Sequence, residues 1–321
     1  MTLANAPSLH DKTTRAFLRD AIQGLTSARK SLSPKWLYDS AGSALFEEIT
    51  GLPEYYPTRT EISILRSHAA DLAGYVPKGG ALVELGSGAS IKTRLLLDAG
   101  PHIAAYVPVD ISAAFLHATA DDLRARYPHL AVHPTVGDFV NPIALPAALH
   151  DLPKVGFFPG STIGNLEPLD ATALLARARA WPGIETFILG ADLVKDPQVL
   201  IDAYDDAAGV TARFITNILM RMNTELGADF DVDRFDYIAE WNAEAAQIEM
   251  SLMAKVDHHV SLGGQDIPFA KHERIAVSQS RKYTIGSLGN LANAAGWSVQ
   301  EVVTDAESNF GVAVLKAQSA G

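Results

Sequence analysis

From about residue 61 to residue 196, short apolar runs alternate with longer segments in which apolar side chains recur every three or four positions. The short runs have the length of buried strands and occupy residues 80–86, 104–110, 130–138, 154–161 and 185–193. The longer segments predict helices over residues 90–100, 112–128 and 170–181. Buried strands that are separated by helices of ten or more residues form parallel sheets with helices on both faces. The pattern therefore predicts an α/β fold with a doubly wound parallel sheet.

The alternation is absent from the first 60 residues and stops near Pro197. Residues 1–60 predict short helices, one of them at residues 13–25, and the stretch GLPEYYPTRTE at residues 51–61 predicts turns. Beyond Pro197 the sequence predicts a long helical section (residues 197–227), an acidic turn (228–237) and two antiparallel strands (247–256 and 258–264). A further strand (274–284), a helix (287–296) and a β-hairpin (297–317) follow. We therefore expect residues 61–196 and 284–321 to form the sheet domain, and residues 1–60 and 197–283 to form a second, α+β lobe.

The composition narrows the function classes. The chain has 321 residues, 26 of them basic and 37 acidic, and no stretch rich in Lys and Arg, so we expect no nucleic-acid partner. It has no cysteine, which excludes disulfides and thiolate metal sites, and its scattered histidines lack metal-ligand spacing, so we expect no metal. No window approaches a membrane span and the N-terminus has no apolar signal-like core, so we expect a cytoplasmic protein without a membrane partner. The sequence does not indicate the oligomeric state, and a monomer is compatible with it.

Two glycines follow the first strand of the predicted sheet. The stretch ALVELGSGAS, residues 81–90, places Gly86 and Gly88 at the carboxyl end of that strand, where open parallel sheets bind their ligands. Without a Cβ the backbone can turn sharply there and a ligand can come close. A dinucleotide fingerprint would need Gly or Ala three residues after Gly88, where this chain has Ile91, and no P-loop lysine follows. The glycines therefore do not predict a pyrophosphate cradle.

Acidic residues near the ends of the first three strands indicate which ligand is bound. Glu84 lies at the end of the first strand, and Asp110 ends the second, where a carboxylate can accept hydrogen bonds from both ribose hydroxyls. Asp138 ends the third, where it can accept an adenine amino hydrogen while Phe139 packs on the ring. The glycines alone are equally consistent with an ordinary loop at a sheet edge. All three elements in this order match S-adenosylmethionine (SAM), which has adenine, ribose and an amino-acid tail but no phosphates.

Other stretches are more distinctive than a generic sheet protein requires. They are PKWLYDSAGSALFEEIT, LPEYYPTRTE, PGSTIGNL, ADLVKD and AYDDAAGVTARFITNIL. Together they resemble the histidine Nα-methyltransferases of the ergothioneine pathway, over nearly the whole chain from about Lys30 to Lys316. The resemblance implies that SAM donates three methyl groups in turn to the α-amino group of L-histidine, giving the betaine hercynine. It also implies a Rossmann-like methyltransferase domain with a substrate lobe, and it adds Lys92 to the cofactor-binding residues.

The resemblance also implies a set of acceptor-site residues. Asn165 and Tyr204 would bind the carboxylate and amino group of the substrate, and Met250 would pack beside its side chain. Tyr38 and Tyr55 would line the space around the amine as the catalytic residues. Uncharged hydroxyls suit an amine that must lose its proton before it attacks, because a carboxylate would stabilise the unreactive ammonium. Taken singly, the tyrosines are equally consistent with packing, Met250 is more typical of a core residue, and Asn165 is more typical of a left-handed turn residue.

The segment that would bind the imidazole departs from the family pattern. The family usually presents a Glu and a Ser two residues apart, whereas VSQSRKY has Ser278 at the Glu position and Ser280 at the Ser position. Loss of a charge-assisted hydrogen bond of about 1.5–3 kcal/mol would weaken the preference for histidine. The smaller side chain would also leave room for a larger acceptor. The same chemistry on another α-amino acid, such as tryptophan or tyrosine, therefore stays open. So do an NAD-dependent oxidoreductase, which Ile91 disfavours, and a SAM-binding module without activity.

Overall fold

The structure is a computed structural model that describes residues 12–88 and 90–318. The chain divides into two compact units. The first unit consists of the described residues up to Tyr56 together with Lys195–Ser280. The second unit consists of Pro57–Val194 and the described residues from Arg281 onward. The boundaries that we predicted after residues 60, 196 and 283 lie a few residues C-terminal to these divisions.

The α-helices of the described residues are mostly of ordinary length, and several begin at a capping side chain. The Asp39 side chain accepts the Gly42 N–H at the start of the second helix, and Thr284 and Ser287 form a capping box at the start of the last. The helices are α1 (Lys12–Leu25), α2 (Ser40–Thr50), α3 (Tyr56–Ser67), α4 (Ala69–Gly74), α5 (Ile91–Ala99), α6 (Ala113–Arg126), α7 (Pro168–Arg179), α8 (Pro197–Asp202), α9 (Val210–Leu226) and α10 (Ile285–Ala294).

The strands form three sheets. The described strands are β1 (Ala81–Leu85), β2 (Ala105–Asp110), β3 (Ala131–Val132), β4 (Thr135–Val136), β5 (Lys154–Phe158), β6 (Ile184–Asp192), β7 (Phe235–Asn242), β8 (Gln247–Ala254), β9 (His258–Leu262), β10 (Gln265–Phe269), β11 (Arg274–Arg281), β12 (Trp297–Thr304) and β13 (Phe310–Ala317). The largest sheet has the order β12-β13-β6-β5-β1-β2-β3, with β4 also paired to β2.

The large sheet is mainly parallel and belongs to the second unit. β1 is parallel to β2 on one side and to β5 on the other, and β6 is parallel to β5. Only the C-terminal hairpin of β12 and β13 is antiparallel, and it joins the sheet along β6. The chain runs outward from β1 to β3 and then returns to β5, so the winding direction reverses between β1 and β5. The prediction of a doubly wound α/β sheet is confirmed, and the reversal marks the point where such sheets bind ligands.

The strands at the centre of this sheet are buried on both faces. Ala81, Val83 and Leu85 of β1 pack in one apolar core with residues of α7 and α10. Leu82 points to the opposite core, which contains residues of α3, α4, α5 and α6. Every residue of β1 and β5 is buried, as expected for a sheet with helices on both sides.

The first unit combines helices with short sheets around its own core. β7, β8 and β11 form a three-stranded sheet, in which β7 and β8 are antiparallel, and β9 pairs with β10 in an antiparallel hairpin. The core contains Phe17 and Leu25 of α1, Ile215 and Ile218 of α9 and Leu252 of β8. This unit is therefore an α+β structure, as the sequence predicted.

Several local predictions differ from the structure. The strand expected at residues 130–138 is broken into β3 and β4, because Pro134 has no N–H to donate to the ladder. The helical section expected at residues 197–227 is split into α8 and α9, and Gly209 adopts a φ of +67° just before α9. The acidic turn expected at residues 228–237 gives way to β7 at Phe235, and β10 was not predicted.

The segment LPEYYPTRTE was expected to be rich in turns, but α3 begins within it at Tyr56. Pro57, the second residue of this helix, is compatible with it because the first N–H groups of a helix have no intrahelical partner. No helix among residues 12–88 and 90–318 is long and apolar enough to cross a lipid bilayer.

Candidate active site

The loop between β1 and α5 depends on backbone conformations that glycine favours. Gly86 has a φ of +64° and Gly88 a φ of +48°. The N–H groups of Gly86 and Ser87 both donate to the Val109 carbonyl, at 2.9 and 3.1 Å, which ties the loop to the end of β2. A Cβ at Gly86 would lie 3.4 Å from the Phe139 ring. A side chain at residue 86 would therefore be strained by its φ and would occupy the space in front of that ring.

Asp110 lies at the end of β2, directly beside this loop. Its Oδ2 accepts the Gly88 N–H at 3.1 Å, and its Oδ1 accepts the Ser112 N–H at 3.0 Å. Each carboxylate oxygen can accept further hydrogen bonds, since an ionised carboxylate offers about four acceptor sites. The structure thus brings the two glycines and Asp110 together, as the sequence predicted.

Asp138 and Phe139 lie beyond β4 rather than at the end of a continuous strand. Asp138 accepts the Val140 N–H at 3.0 Å and the Asn141 side-chain amide at 3.2 Å, so both its oxygens take part in a local turn. The Phe139 ring meets the Phe158 ring edge to face, with centroids 5.2 Å apart. Because Phe158 ends β5, Phe139 lies near the point where the sheet reverses direction. The contact of Asp138 with an adenine stays a prediction.

Glu84 is buried beneath the glycine loop and faces other side chains of its own unit. Its carboxyl group accepts hydrogen bonds from Thr93 and Tyr106, and the Tyr106 hydroxyl also lies 2.9 Å from Ser90 Oγ. Burial raises the pKa of Glu84 to about 8, although these hydrogen bonds and the charge of Lys92 oppose the rise. The structure therefore places this carboxyl group among the first residues of α5. Its predicted contact with the cofactor stays untested.

Lys92 is held by an acidic residue that the sequence analysis missed. Its Nζ lies 2.5 Å from Oε2 of Glu61, a fully buried side chain on α3. Glu61 also accepts the Gly160 N–H, just beyond β5. Glu61 is the last residue of the distinctive stretch LPEYYPTRTE, and the sequence analysis gave it no role. Its place in that stretch was the one signal that could have identified it.

In the first unit, the predicted acceptor residues include a cluster of aromatic side chains. The rings of Tyr55 and Tyr204 meet edge to face with centroids 5.8 Å apart, and the Tyr204 hydroxyl lies 2.8 Å from Ser280 Oγ. The Tyr38 ring packs edge to face against Phe214, with centroids 5.5 Å apart. Tyr55, Tyr204 and Ser280 are buried, while Tyr38 is 37% exposed. Residues far apart in sequence thus come together here.

The other predicted acceptor residues are Met250, Ser278 and Asn165. Met250, on β8, is buried in the core of the first unit. Ser278 is half-buried on β11, two residues before Ser280, so the two side chains point to the same face of the strand. Asn165 belongs to the second unit and is half-buried at the end of a short 3₁₀ helix, Thr162–Asn165. The left-handed residue of that turn is Ser161, with a φ of +55°, so Asn165 does not serve as one.

Further polar residues surround the ends of β5 and β6 and were not predicted. Asp192 and Lys282 form an ion pair of 2.7 Å in which both side chains are fully buried, and Ser161 Oγ accepts the Asp192 N–H at 2.9 Å. In the first unit, Lys195 Nζ lies 2.6 Å from the Tyr56 hydroxyl. Sequence pattern gave no signal for these pairs, because each joins residues that are far apart in the chain.

The residues at this edge of the sheet fit SAM. Ser87 Oγ is buried between the two glycines and has no hydrogen-bond partner in the described part of the chain, which leaves a polar group for a ligand. Gly86 keeps the space before Phe139 free of a side chain, and Asp110 is fixed by two backbone N–H groups. Across residues 12–88 and 90–318, no cluster of three or more His, Cys, Asp or Glu side chains is arranged to hold a metal ion.

Known proteins are similar to this chain over nearly its whole length. The profile of the family described as "Histidine-specific methyltransferase, SAM-dependent" matches residues 17–317. The chain is 42% identical to the histidine N-alpha-methyltransferase of Mycolicibacterium smegmatis over 98% of its own length and 99% of the relative. It is also 42% identical to that of Mycobacterium tuberculosis, over 93% and 94%. It is 28% identical to the 4-dimethylallyltryptophan N-methyltransferase of Claviceps purpurea, over 82% and 83%.

The doubly wound sheet and the family profile together define a SAM-dependent methyltransferase. The profile match covers most of the chain and includes both units. The chain belongs to the family of SAM-dependent, histidine-specific methyltransferases.

Proposed function

We propose that the protein transfers methyl groups from SAM to the α-amino group of L-histidine. Three successive transfers would give the betaine hercynine, in the first step of ergothioneine biosynthesis. The observation that carries this proposal is the 42% identity, over 98% of the chain, to a relative named for methylation at this nitrogen. The second unit would bind the donor and the first unit most of the acceptor.

On the donor side, the glycine loop and the two strand-end acids divide the recognition of SAM. Asp110 is proposed to accept hydrogen bonds from the ribose hydroxyls, and Asp138 from the adenine amino group, while Phe139 packs on the adenine. Gly86 and Gly88 let the backbone come close to the ligand. When bound, SAM supplies a methyl group that its sulfonium already activates. The remaining task of the protein is to position the amine, deprotonate it and exclude water.

On the acceptor side, uncharged groups are proposed to surround the amine. Tyr38 and Tyr55 would line the nitrogen, and Tyr204 and Asn165 would hold the amino and carboxylate groups. A hydroxyl can accept a hydrogen bond from the amine but stabilises the ammonium less than a carboxylate would, so the neutral nucleophile is more accessible near neutral pH. Met250 would pack against the side chain of the substrate.

A second candidate is the same reaction on tryptophan or tyrosine, and the side chain at residue 278 favours it. Ser278 and Ser280 would face the substrate side chain with hydroxyls, and no carboxylate stands at either position to accept an imidazole N–H. A hydroxyl can still accept that N–H directly or through water. It can equally accept an indole N–H, so Ser278 discriminates less strongly between the two than a carboxylate would.

The test is methyl transfer to acceptors that differ only at the amine. The purified protein is incubated with SAM and either L-histidine or Nα-acetyl-L-histidine, and S-adenosylhomocysteine is measured. We expect product with the free amine and none above background with the acetylated one. Equal product from both would refute α-amino methylation. Product from L-tryptophan or L-tyrosine, with none from L-histidine, would favour the second candidate.

A further inference from the structure

Glu61 is a buried carboxylate at the edge of the sheet where the winding direction reverses. It lies on α3 and is fully buried. Its Oε1 and Oε2 accept the Gly160 N–H at 3.0 and 2.8 Å, and its Oε2 lies 2.5 Å from Lys92 Nζ.

Two glycines make room for this arrangement. A Cβ at Gly190, on β6, would lie 2.1 Å from Glu61 Oε1, so no side chain fits there while the carboxylate keeps its place. Gly160 has a φ of +82°, and a Cβ on it would lie 3.3 Å from Lys92 Nζ. Taking two charges out of water is costly, and a buried ion pair is weak evidence for a stabilising role. A function in positioning accounts for the pair better than stability does.

The ammonium of Lys92 has a more open environment than its partner. The Lys92 side chain is 19% exposed, whereas that of Glu61 is not exposed at all. Lys92 lies in the first turn of α5, which follows the glycine loop and the unpartnered Ser87 Oγ. An amino-acid tail with a free carboxylate needs a cation or N–H donors, and Lys92 supplies a cation at this edge.

We propose that Glu61 is a positioning residue of the donor site, which fixes the Lys92 ammonium where it binds the amino-acid tail of SAM. The Gly160 N–H anchors Glu61, and Glu61 in turn anchors Lys92. This inference rests on the SAM-dependent reaction proposed above but does not depend on the identity of the acceptor. Glu61 does not itself contact SAM. Its loss therefore weakens binding of the amino-acid tail, through Lys92, and leaves recognition of the adenosine unchanged.

The test compares two ligands that differ in the tail. S-adenosylhomocysteine carries it, and 5′-methylthioadenosine has the same thioether with a methyl group in its place. Binding of both is measured by calorimetry for the unchanged protein, for Glu61→Gln and for the control Glu185→Gln, an exposed acid on β6. We expect Glu61→Gln to weaken the binding of S-adenosylhomocysteine at least about tenfold and that of methylthioadenosine less than about twofold. The control variant should bind both ligands as the unchanged protein does.

Equal weakening of both ligands, or no weakening of either, would overturn the proposal. If Glu61→Gln does not fold, Lys92→Met tests the same proposal. It should lose affinity for S-adenosylhomocysteine but not for methylthioadenosine. The double variant should lose no more affinity for S-adenosylhomocysteine than Lys92→Met alone, because Glu61 acts through Lys92. Additive losses would contradict that dependence. No acceptor is present in these measurements, so a wrong assignment of histidine cannot produce or hide the result.

Discussion

The predicted site residues of the two units differ in their polar groups. At the sheet edge of the second unit, the groups available to a ligand are held by backbone conformation and by carboxylates: Gly86 and Gly88 have positive φ angles, and Asp110 is fixed by two N–H groups. In the aromatic cluster of the first unit, the groups are neutral hydroxyls, such as those of Tyr204 and Ser280. We propose that this difference reflects the two reactants, because a sulfonium compound carries positive charge and the acceptor amine must lose it.

One buried acid in each unit shows a second difference, in the direction of its pKa shift. Burial raises the pKa of Glu84 in the second unit to about 8. Burial also acts to raise the pKa of Asp206 in the first unit, but hydrogen bonds from Thr211 and Val210 outweigh it and leave that pKa below its usual value. Hydrogen bonds to the charged form decide which effect prevails. Asp206 therefore stays ionised near neutral pH, whereas Glu84 favours its neutral form.

The largest expected effect is on the pH dependence of stability. The folded pKa of Glu84, about 8, lies above its ordinary value of 4.5, so the folded state holds an extra proton between these values. Its contribution of a few kcal/mol is complete below about pH 4.5 and is lost as the pH rises towards 8. Glu84→Gln should flatten this decline in the free energy of unfolding, measured with urea between about pH 5 and pH 8.

The matched variant in the first unit is Asp206→Asn. Asp206 has a lowered pKa, so its contribution is present at neutral pH and is lost on acidification. This variant should be destabilised at neutral pH and should leave the decline towards pH 8 unchanged. Parallel pH profiles for the Glu84 variant and the unchanged protein would show that the two buried acids do not differ as described.

The next effect is the loss of donor affinity in Asp110→Ala. This change removes the proposed acceptor of two ribose hydroxyls and the partner of the Gly88 N–H. At about 1.5–3 kcal/mol for each of two charged hydrogen bonds, we expect S-adenosylhomocysteine to bind at least about 100-fold more weakly. Calorimetry measures the effect.

Asn165→Ala is the comparison variant for Asp110→Ala, since both residues belong to the second unit. It should raise the KM for the amino acid and leave the affinity for S-adenosylhomocysteine within about twofold. Small and equal effects of the two substitutions on donor and acceptor would remove the basis for assigning them to different ligands.

Ser278→Glu tests the pocket for the acceptor side chain. A carboxylate at this position can accept an imidazole N–H, so we expect kcat/KM for histidine to rise about tenfold relative to that for tryptophan. In Ser278→Gln the new side chain has nearly the same size as glutamate but no charge, so we expect a smaller change in this ratio. Unchanged ratios in both variants would place residue 278 outside the pocket.

The smallest expected effect is that of Tyr204→Phe. The change removes the hydroxyl that lies 2.8 Å from Ser280 Oγ and keeps the ring against Tyr55. Loss of one neutral hydrogen bond of about 1 kcal/mol should raise the KM for the amino acid about fivefold. The affinity for S-adenosylhomocysteine should not change. Reduced affinity for S-adenosylhomocysteine with an unchanged KM for the amino acid would show that Tyr204 contacts the donor and not the acceptor.

The sequence predicted the sheet edge better than it predicted the aromatic cluster. Gly86, Gly88 and Asp110 lie within one β-α-β segment, so strand pattern and residue spacing were enough to bring them together. Tyr55, Tyr204 and Ser280 are distributed along the chain, and only the family resemblance selected them. Glu61, which holds Lys92, was missed because no periodic pattern connects a helix before β1 with the turn after β5. Pro134 was visible in the sequence, but the apolar residues around it suggested an unbroken strand.

The most direct test offers the protein every acceptor at once. It is incubated with SAM carrying a deuterated methyl group and an equimolar mixture of the twenty amino acids, and the products are identified by mass spectrometry. We predict that labelled methyl groups appear on the α-nitrogen of histidine, up to three on each molecule. Label on other amino acids with none on histidine, or transfer to no amino acid while S-adenosylhomocysteine binds, would contradict the central claim.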